Sequence, residues 1–162
     1  MALKTPLVLG SDGLVQQLQS GDTISSAVAA QTVRQVTNAE SSAAITIGMP
    51  VYATAADAVK RAQANAKATS QLAGLVFDVS IAAAATGNIC SAGILVATTA
   101  QWDAVAGTTG GLTFGTRYFL DPANPGKITS AVPTTAGQTN TAVGIALSTT
   151  ELELQLQPPI LL

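Results

Sequence analysis

Histidine is missing from this 162-residue chain. With it goes the side chain most often used as a general base near neutral pH and as a transition-metal ligand. Cysteine occurs once, as Cys90, so no internal disulfide can form and folding in a reducing compartment is compatible with the sequence. Cys90 sits in Asn88-Ile89-Cys90-Ser91-Ala92-Gly93-Ile94 and reads as a small buried apolar residue. Charge is scarce: Asp, Glu, Lys and Arg make up 10% of the chain, against about 25% in an ordinary soluble domain. Aromatic residues make up 4%. The net charge of −2 and the scattered basic residues leave no electrostatic footprint for nucleic acid. Lys60-Arg61, the adjacent pair of cations, reads as the solvated side or edge of a strand.

Long apolar runs are also lacking. The uncharged stretch 79–101 is broken by Ser80, Thr86, Gly87, Asn88, Ser91, Gly93, Thr98 and Thr99, whereas a spanning helix takes about 20 mainly apolar residues. No membrane partner is expected. Met1-Ala2-Leu3-Lys4 leads into a strand-like segment without the apolar core of a secretory signal.

Apolar residues nevertheless reach 48%, with a mean hydropathy of +0.40. At this length the chain fits one domain plus an arm and can bury a real core. The surplus that a core does not take up belongs in a protein interface, and so in an assembly.

The clearest local design lies in residues 110–129. Arg117-Tyr118-Phe119-Leu120 suits a half-buried strand; Asp121-Pro122 stops it, because proline has no N–H for a sheet ladder. Asn124-Pro125-Gly126 supplies a turn, and Lys127-Ile128-Thr129 resumes a strand. The same plan occurs earlier. Ile47-Gly48-Met49-Pro50-Val51-Tyr52-Ala53 aligns with Phe114-Gly115-Thr116-Arg117-Tyr118-Phe119-Leu120, and both continue through an acidic loop residue (Asp57 or Asp121). Each closes on a glycine-centred strand, Ala73-Gly74-Leu75-Val76-Phe77 or Val143-Gly144-Ile145-Ala146-Leu147. An internal duplication of a three-stranded unit, over 47–80 and 114–149, is expected.

Taken in order, residues 5–9 and 14–18 read as short strands joined by the turn Gly10-Ser11-Asp12-Gly13. Two such strands are not stable alone and must lie on something. Residues 24–44 fit neither the helical nor the strand period and read as an extended connector, or as a strand formed only in an assembly. This divides the chain into an N-terminal arm and connector, 1–44, and a β-domain, 45–162. Strands are expected over 50–54, 59–63, 73–79, 87–97, 116–120, 127–129, 141–148 and 152–157. One helical turn is expected over 98–105, with Thr98 as cap and Gln101 completing a capping box. Leu152, Leu154 and Leu156 share one face of the last strand. Many short strands with glycine-rich turns define an all-β fold, a small β-sandwich or barrel with an extended N-terminal arm.

The candidates for chemistry are few. Asp12 and Asp22 could supply half of a calcium site, but neither has a neighbouring carboxylate, and turn residues explain them. Glu151 and Glu153 share a strand face and could pair as acid and base; the polar face of an amphipathic strand explains them as well. Trp102 beside Asp103 could stack on a sugar or base, although a lone tryptophan is more often an anchor of a core or interface. Gly107-Thr108-Thr109-Gly110-Gly111 reads as a turn rather than a phosphate cradle. No enzyme, metal or cofactor is expected.

The ordered stretches resemble a family of tailed-bacteriophage virion structural proteins. The resemblance is carried by the opening Leu7-Val8-Leu9-Gly10-Ser11-Asp12-Gly13-Leu14-Val15-Gln16-Gln17-Leu18-Gln19-Ser20-Gly21-Asp22-Thr23-Ile24. It continues through Gly48-Met49-Pro50-Val51-Tyr52, Ala62-Gln63-Ala64-Asn65-Ala66, Ile81-Ala82-Ala83-Ala84-Ala85-Thr86-Gly87, Gln101-Trp102-Asp103-Ala104-Val105, Gly110-Gly111-Leu112-Thr113, Tyr118-Phe119-Leu120, Gly126-Lys127 and Ala146-Leu147-Ser148-Thr149-Thr150-Glu151. The resemblance implies a β-rich module on the virion, often a homotrimer, and brings no catalytic residues. Two roles follow. One is a cement protein that decorates the capsid exterior and clamps the major capsid protein, after synthesis in the host bacterial cytoplasm. The other is a head- or tail-fibre module for host attachment. The absence of a repetitive shaft and the shortage of aromatic residues favour cement. In that role Leu7, Leu9, Leu14 and Leu18 of the arm are the expected capsid contacts, added as strands to an exposed sheet edge.

Overall fold

The computed structural model describes the strands Leu7–Leu9 and Val15–Gln17 and, continuously, residues 31–162. In chain order the strands are β1 (Leu7–Leu9), β2 (Val15–Gln17), β3 (Thr32–Asn38), β4 (Ile45–Thr46), β5 (Pro50–Ala55) and β6 (Ala58–Arg61). The single turn α1 (Lys67–Ser70) precedes β7 (Leu72–Val76), β8 (Ser80–Ile81) and β9 (Thr86–Val96). Helix α2 (Thr99–Ala106) precedes β10 (Arg117–Leu120), β11 (Ile128–Thr129), β12 (Thr139–Asn140), β13 (Ala142–Ala146), β14 (Glu151–Leu154) and β15 (Ile160–Leu161). The fold is all-β, and its architecture is a closed five-strand barrel with additional strands.

The barrel runs β3, β6, β5, β7 and the first part of β9, which returns to β3. The β3–β6 contact is parallel, with Thr37 opposite Ala58 and Asn38 opposite Val59. The other contacts are antiparallel. Val36, Ile45, Val51, Val59, Val76, Ile81 and Ile89 fill the interior, β-branched side chains that suit a pleated wall. One end is closed by the β4–β8 pair, where Ile45 faces Ile81. Buried Asn38 is tied in beneath it. Its Nδ2 donates to the Ala43 and Ile81 carbonyls at 2.9 and 3.0 Å, and its Oδ1 accepts from the Glu40 N–H at 3.0 Å.

The second part of β9 opens a further antiparallel set in the order β9, β14, β13, β10, β11. Its bonding repeats that of the barrel at several corresponding residues. Val51 lies opposite Gly74, and Tyr118 opposite Gly144; each pairing then shifts register at the next residue. The Gly48 N–H donates to the Val76 carbonyl at 2.9 Å and the Gly115 N–H to that of Ala146 at 2.8 Å. The Phe77 N–H donates to Asn88 at 2.8 Å and the Leu147 N–H to Glu151 at 2.9 Å. Through these pairings the interior residues Val36, Ile45, Val51, Val59, Val76 and Ile89 correspond to Ala97, Leu112, Tyr118, Ile128, Ala146 and Leu152, all buried in the second core. The β10–β11 connection turns at Asn124-Pro125-Gly126, as the sequence reads, with the Lys127 N–H donating to Asn124 at 3.3 Å and Gly126 at a φ of 75°. Asp121 adds bonds that the sequence reading did not include, its Oδ1 accepting from the Ala123 and Asn124 N–H groups.

Where the barrel closes by pairing β3 with β6, the second set receives α2. The helix begins directly after Ala97 with the expected capping box between Thr98 and Gln101, and it ends at Gly107, whose φ of 65° is left-handed. Trp102 is fully buried, and its indole N–H donates to the Thr150 carbonyl at 2.9 Å. The two sets are joined by main-chain bonds. The Gly126 N–H donates to Ala62, the Ala64 N–H to Asp121 and the Thr139 N–H to Ala64, at 2.8, 3.0 and 2.9 Å.

One expectation is corrected. Residues 32–38 fall in the stretch that the sequence gives to a connector, or to a strand made only on assembly; in the isolated chain they are β3. Of that strand only Val36 and Asn38 are buried, and Thr32 to Gln35 are exposed, so its sequence carries little apolar alternation. Its partners β6 and β9 lie far along the chain, and tertiary pairing decides its conformation.

Candidate functional site

The residues singled out for chemistry do not converge. Trp102 is a core anchor with no exposed ring to offer a ligand. Asp103 next to it holds the loop after α2. Its carboxylate accepts from the Gly111 N–H at 2.7 Å, the Gly110 N–H at 3.0 Å and the Thr108 hydroxyl at 3.0 Å. These bonds, that from Gly111 foremost, hold its pKa below the ordinary carboxylate value. The glycine-rich run 107–111 is thus a turn organised by Asp103. Glu151 and Glu153 lie half-exposed on β14 opposite Val96 and Ile94, and Glu153 accepts from Gln155 Nε2 at 3.1 Å. Leu152 and Leu154 are buried on the other face, and Leu156 packs against the same core.

Arg61 of the cationic pair bonds to Glu40, through its main-chain N–H at 3.0 Å and its Nε at 3.2 Å. Burial raises the Glu40 pKa, but the Arg61 N–H and guanidinium outweigh it and leave the carboxyl lowered. Cys90 is buried; desolvation raises its pKa, opposing ready thiolate formation. Leu7 and Leu9 fall on β1, while Leu14, Leu18, Asp12 and Asp22 lie outside the described residues. Among the described residues no group of three or more His, Cys, Asp or Glu side chains could hold a metal ion, no helix is long and apolar enough to cross a membrane, and every buried side-chain N or O atom has a hydrogen-bond partner.

The features with binding potential are main-chain edges and apolar surface. Phe114 and Val79 are 75% and 70% exposed, and Ile160 and Leu161 are 62% and 61% exposed. Val96 and Leu147 lie exposed on either side of Glu151, since Val96 pairs with Glu151 and the Leu147 N–H bonds to its carbonyl. The tail is held by β15, which pairs with β12 as Thr139 opposite Leu161 and Asn140 opposite Ile160. At the barrel mouth Thr32, Arg34, Ala53, Ala73, Ile89 and Ser91 line a shallow depression, in which one cation and two hydroxyls meet alanine methyls.

The first half of β3 is the feature that sequence reasoning missed. It pairs with β9 on one side, whereas β6 reaches only Thr37 and Asn38 on the other. The signal available in the sequence was the β-branched content of Thr32-Val33-Arg34-Gln35-Val36-Thr37, followed by the turn-forming Asn38.

The fold and surface therefore define an all-β, barrel-based module with open strand edges and no convergent chemical site among the described residues. No family model matches the chain, and neither does any curated protein.

Proposed function

We propose that this chain is a non-enzymatic structural protein of a bacteriophage virion, a cement protein that decorates the capsid exterior and stabilises it. In this role it is a homotrimer that contacts the major capsid protein through its apolar surface and an N-terminal arm, with Leu7, Leu9, Leu14 and Leu18 as arm contacts. The observation that carries the proposal is the apolar surface of a chain with 10% charged residues. Phe114, Val79, Val96, Ile160 and Leu161 are all more than half exposed, and such surface suits burial against other subunits. The sequence resemblance to tailed-phage virion proteins supplies the particle. Exposed Phe114 also suits the alternative, a head- or tail-fibre module that meets a host surface.

Cryo-electron microscopy of intact particles tests the proposal. Density for the barrel on the outside of the head, over joints between capsid subunits, supports cement. Density on a fibre or the tail supports the alternative. Absence from purified particles overturns both.

A further inference from the structure

We propose that the free edge of β3 accepts the β1–β2 hairpin of a second copy of this chain, linking copies by strand addition. The edge follows from the hydrogen-bond parity of β3. The Thr37 N–H points to the β6 side, donating to Asp57, while the Asn38 N–H points the other way, donating to Ala85. By alternation the N–H and C=O groups of Gln35 and Val33 also face the β6 side. There β6 has already ended, at the β5–β6 turn. Both residues are exposed. A groove of about 340 Å³ follows this edge, lined by Arg34, Gln35, Val36 and Thr37 on β3, by Asp57 on the turn, and by Thr86. This half of the strand has no proline, and Arg34 is its one charged side chain.

The occupant is argued from the same chain. β1 and β2 pair with each other over Leu7 to Leu9 and Val15 to Gln17 and with no other strand among the described residues. A hairpin this short needs a third strand to be stable in water, and β3 offers one. Residues 18–31 tether β2 to β3, about 14 residues that reach at most roughly 46–50 Å. Neither β1 nor β2 pairs with β3 of its own chain, and we assign the donor to a second copy; donation within one chain would leave the protein monomeric. Donation from each copy to the next is a heterologous contact, which closes into a ring when the rotation allows. This donor role departs from the proposed function at one point: it gives β1, and with it Leu7 and Leu9, to a second copy, where that reading gives them to the capsid protein.

The test uses the full-length protein without capsids, so its failure leaves the virion proposal standing. Gln35→Pro removes an outward N–H from the edge and leaves the bonds to β9 in place, giving an acceptor-null variant. Val8→Pro with Gln16→Pro breaks both hairpin strands, giving a donor-null variant. By sedimentation the unmodified protein is expected to be an oligomer at micromolar concentration and each variant a monomer with an unchanged circular dichroism spectrum. An equimolar mixture of the two variants is expected to form a 1:1 dimer, since one still donates and the other still accepts. Hydrogen exchange on the unmodified protein needs no variant to fold: the Val33 and Gln35 amides are expected to exchange at least about tenfold more slowly in the oligomer than in dilute monomer. A monomeric unmodified protein overturns the proposal. So does an oligomer that survives either variant, a mixture of folded variants that stays monomeric, or free exchange at Val33 and Gln35 within the oligomer.

Discussion

The barrel and the second β-set bond their strands in the same register yet fill and close their interiors differently. In the barrel the interior positions Val36, Ile45, Val51, Val59, Val76 and Ile89 hold Val or Ile, and closure comes from main-chain pairing of β3 with β6. In the second set the corresponding Ala97 and Ala146 are smaller, while Tyr118 is larger and Trp102 enters from α2. Small residues stand beside large ones in the second set, so the two interiors do not keep the same side-chain sizes at corresponding positions. A sheet of this pattern can thus be completed by a parallel strand or by a capped helix carrying one large aromatic side chain. The corresponding residues and bonds lead us to propose descent of both units from one ancestral unit.

The comparison breaks most sharply at Trp102. Trp102→Ala removes the largest side chain of the second core and one of two hydrogen bonds to the Thr150 carbonyl, which keeps that from the Ala97 N–H at 3.0 Å, at an expected cost of about 3–5 kcal/mol. Ile89→Val in the barrel removes one methylene and is expected to cost about 0.5–1.5 kcal/mol. Chemical denaturation of both variants checks the ratio. Equal losses would mean that the helix does not carry the closure of the second set.

Glycine pairs sharpen the comparison. A Cβ on Gly74 would lie 2.7 Å from the Cys90 carbonyl oxygen, and one on Gly144 would lie 2.2 Å from that of Glu153. These glycines correspond, as do their obstacles. Each Ala substitution is expected to destabilise by about 1–3 kcal/mol, Gly144→Ala the more. Gly48 and Gly115 also correspond, with φ of 80° and 74°, but a Cβ on Gly48 meets the Trp102 ring at 2.9 Å and one on Gly115 meets nothing within 4 Å. Gly115→Ala should cost only the left-handed backbone strain, about 1–2 kcal/mol, and Gly48→Ala clearly more. Thermal unfolding of the four variants ranks them.

Much of this plan was legible in the sequence because it is written in local chemistry. Glycines at positive φ, Asp121-Pro122 at the hairpin, the Thr98–Gln101 capping box and the alternation of Leu152, Leu154 and Leu156 each act within a few residues. Barrel closure was not legible. It depends on β3, whose exposed first half gives no apolar period, and on a parallel contact with β6 that no local pattern encodes. Trp102 could be read as an anchor, but its bond to Thr150 crosses the chain. The β3 edge was missed for the same reason, since an edge is defined by where a distant strand ends.

Acid should act on both regions. Glu40 beside Arg61 and Asp103 on the loop after α2 have lowered pKa values when folded. Each therefore contributes stability that is present above its unfolded value, about 4.3 and 3.9 respectively, and is lost as pH falls through its folded value. Glu40→Gln and Asp103→Asn are each expected to flatten the fall in melting temperature on acidification below about pH 5. Unchanged profiles would remove both groups from the pH response. The smallest effect is expected at Cys90. Its burial predicts slow labelling by a thiol reagent in the native protein and ready labelling after unfolding.

The virion role is tested most directly by co-sedimentation with undecorated capsids, comparing the full chain with one lacking residues 1–23. The full chain is expected to bind to saturation. The shortened chain is expected to keep its thermal transition and to remain in the supernatant, because the arms act together and the loss of all of them removes the avidity. Full occupancy by the shortened chain would contradict anchoring through the arm, and failure of the full chain to bind would contradict the cement role itself.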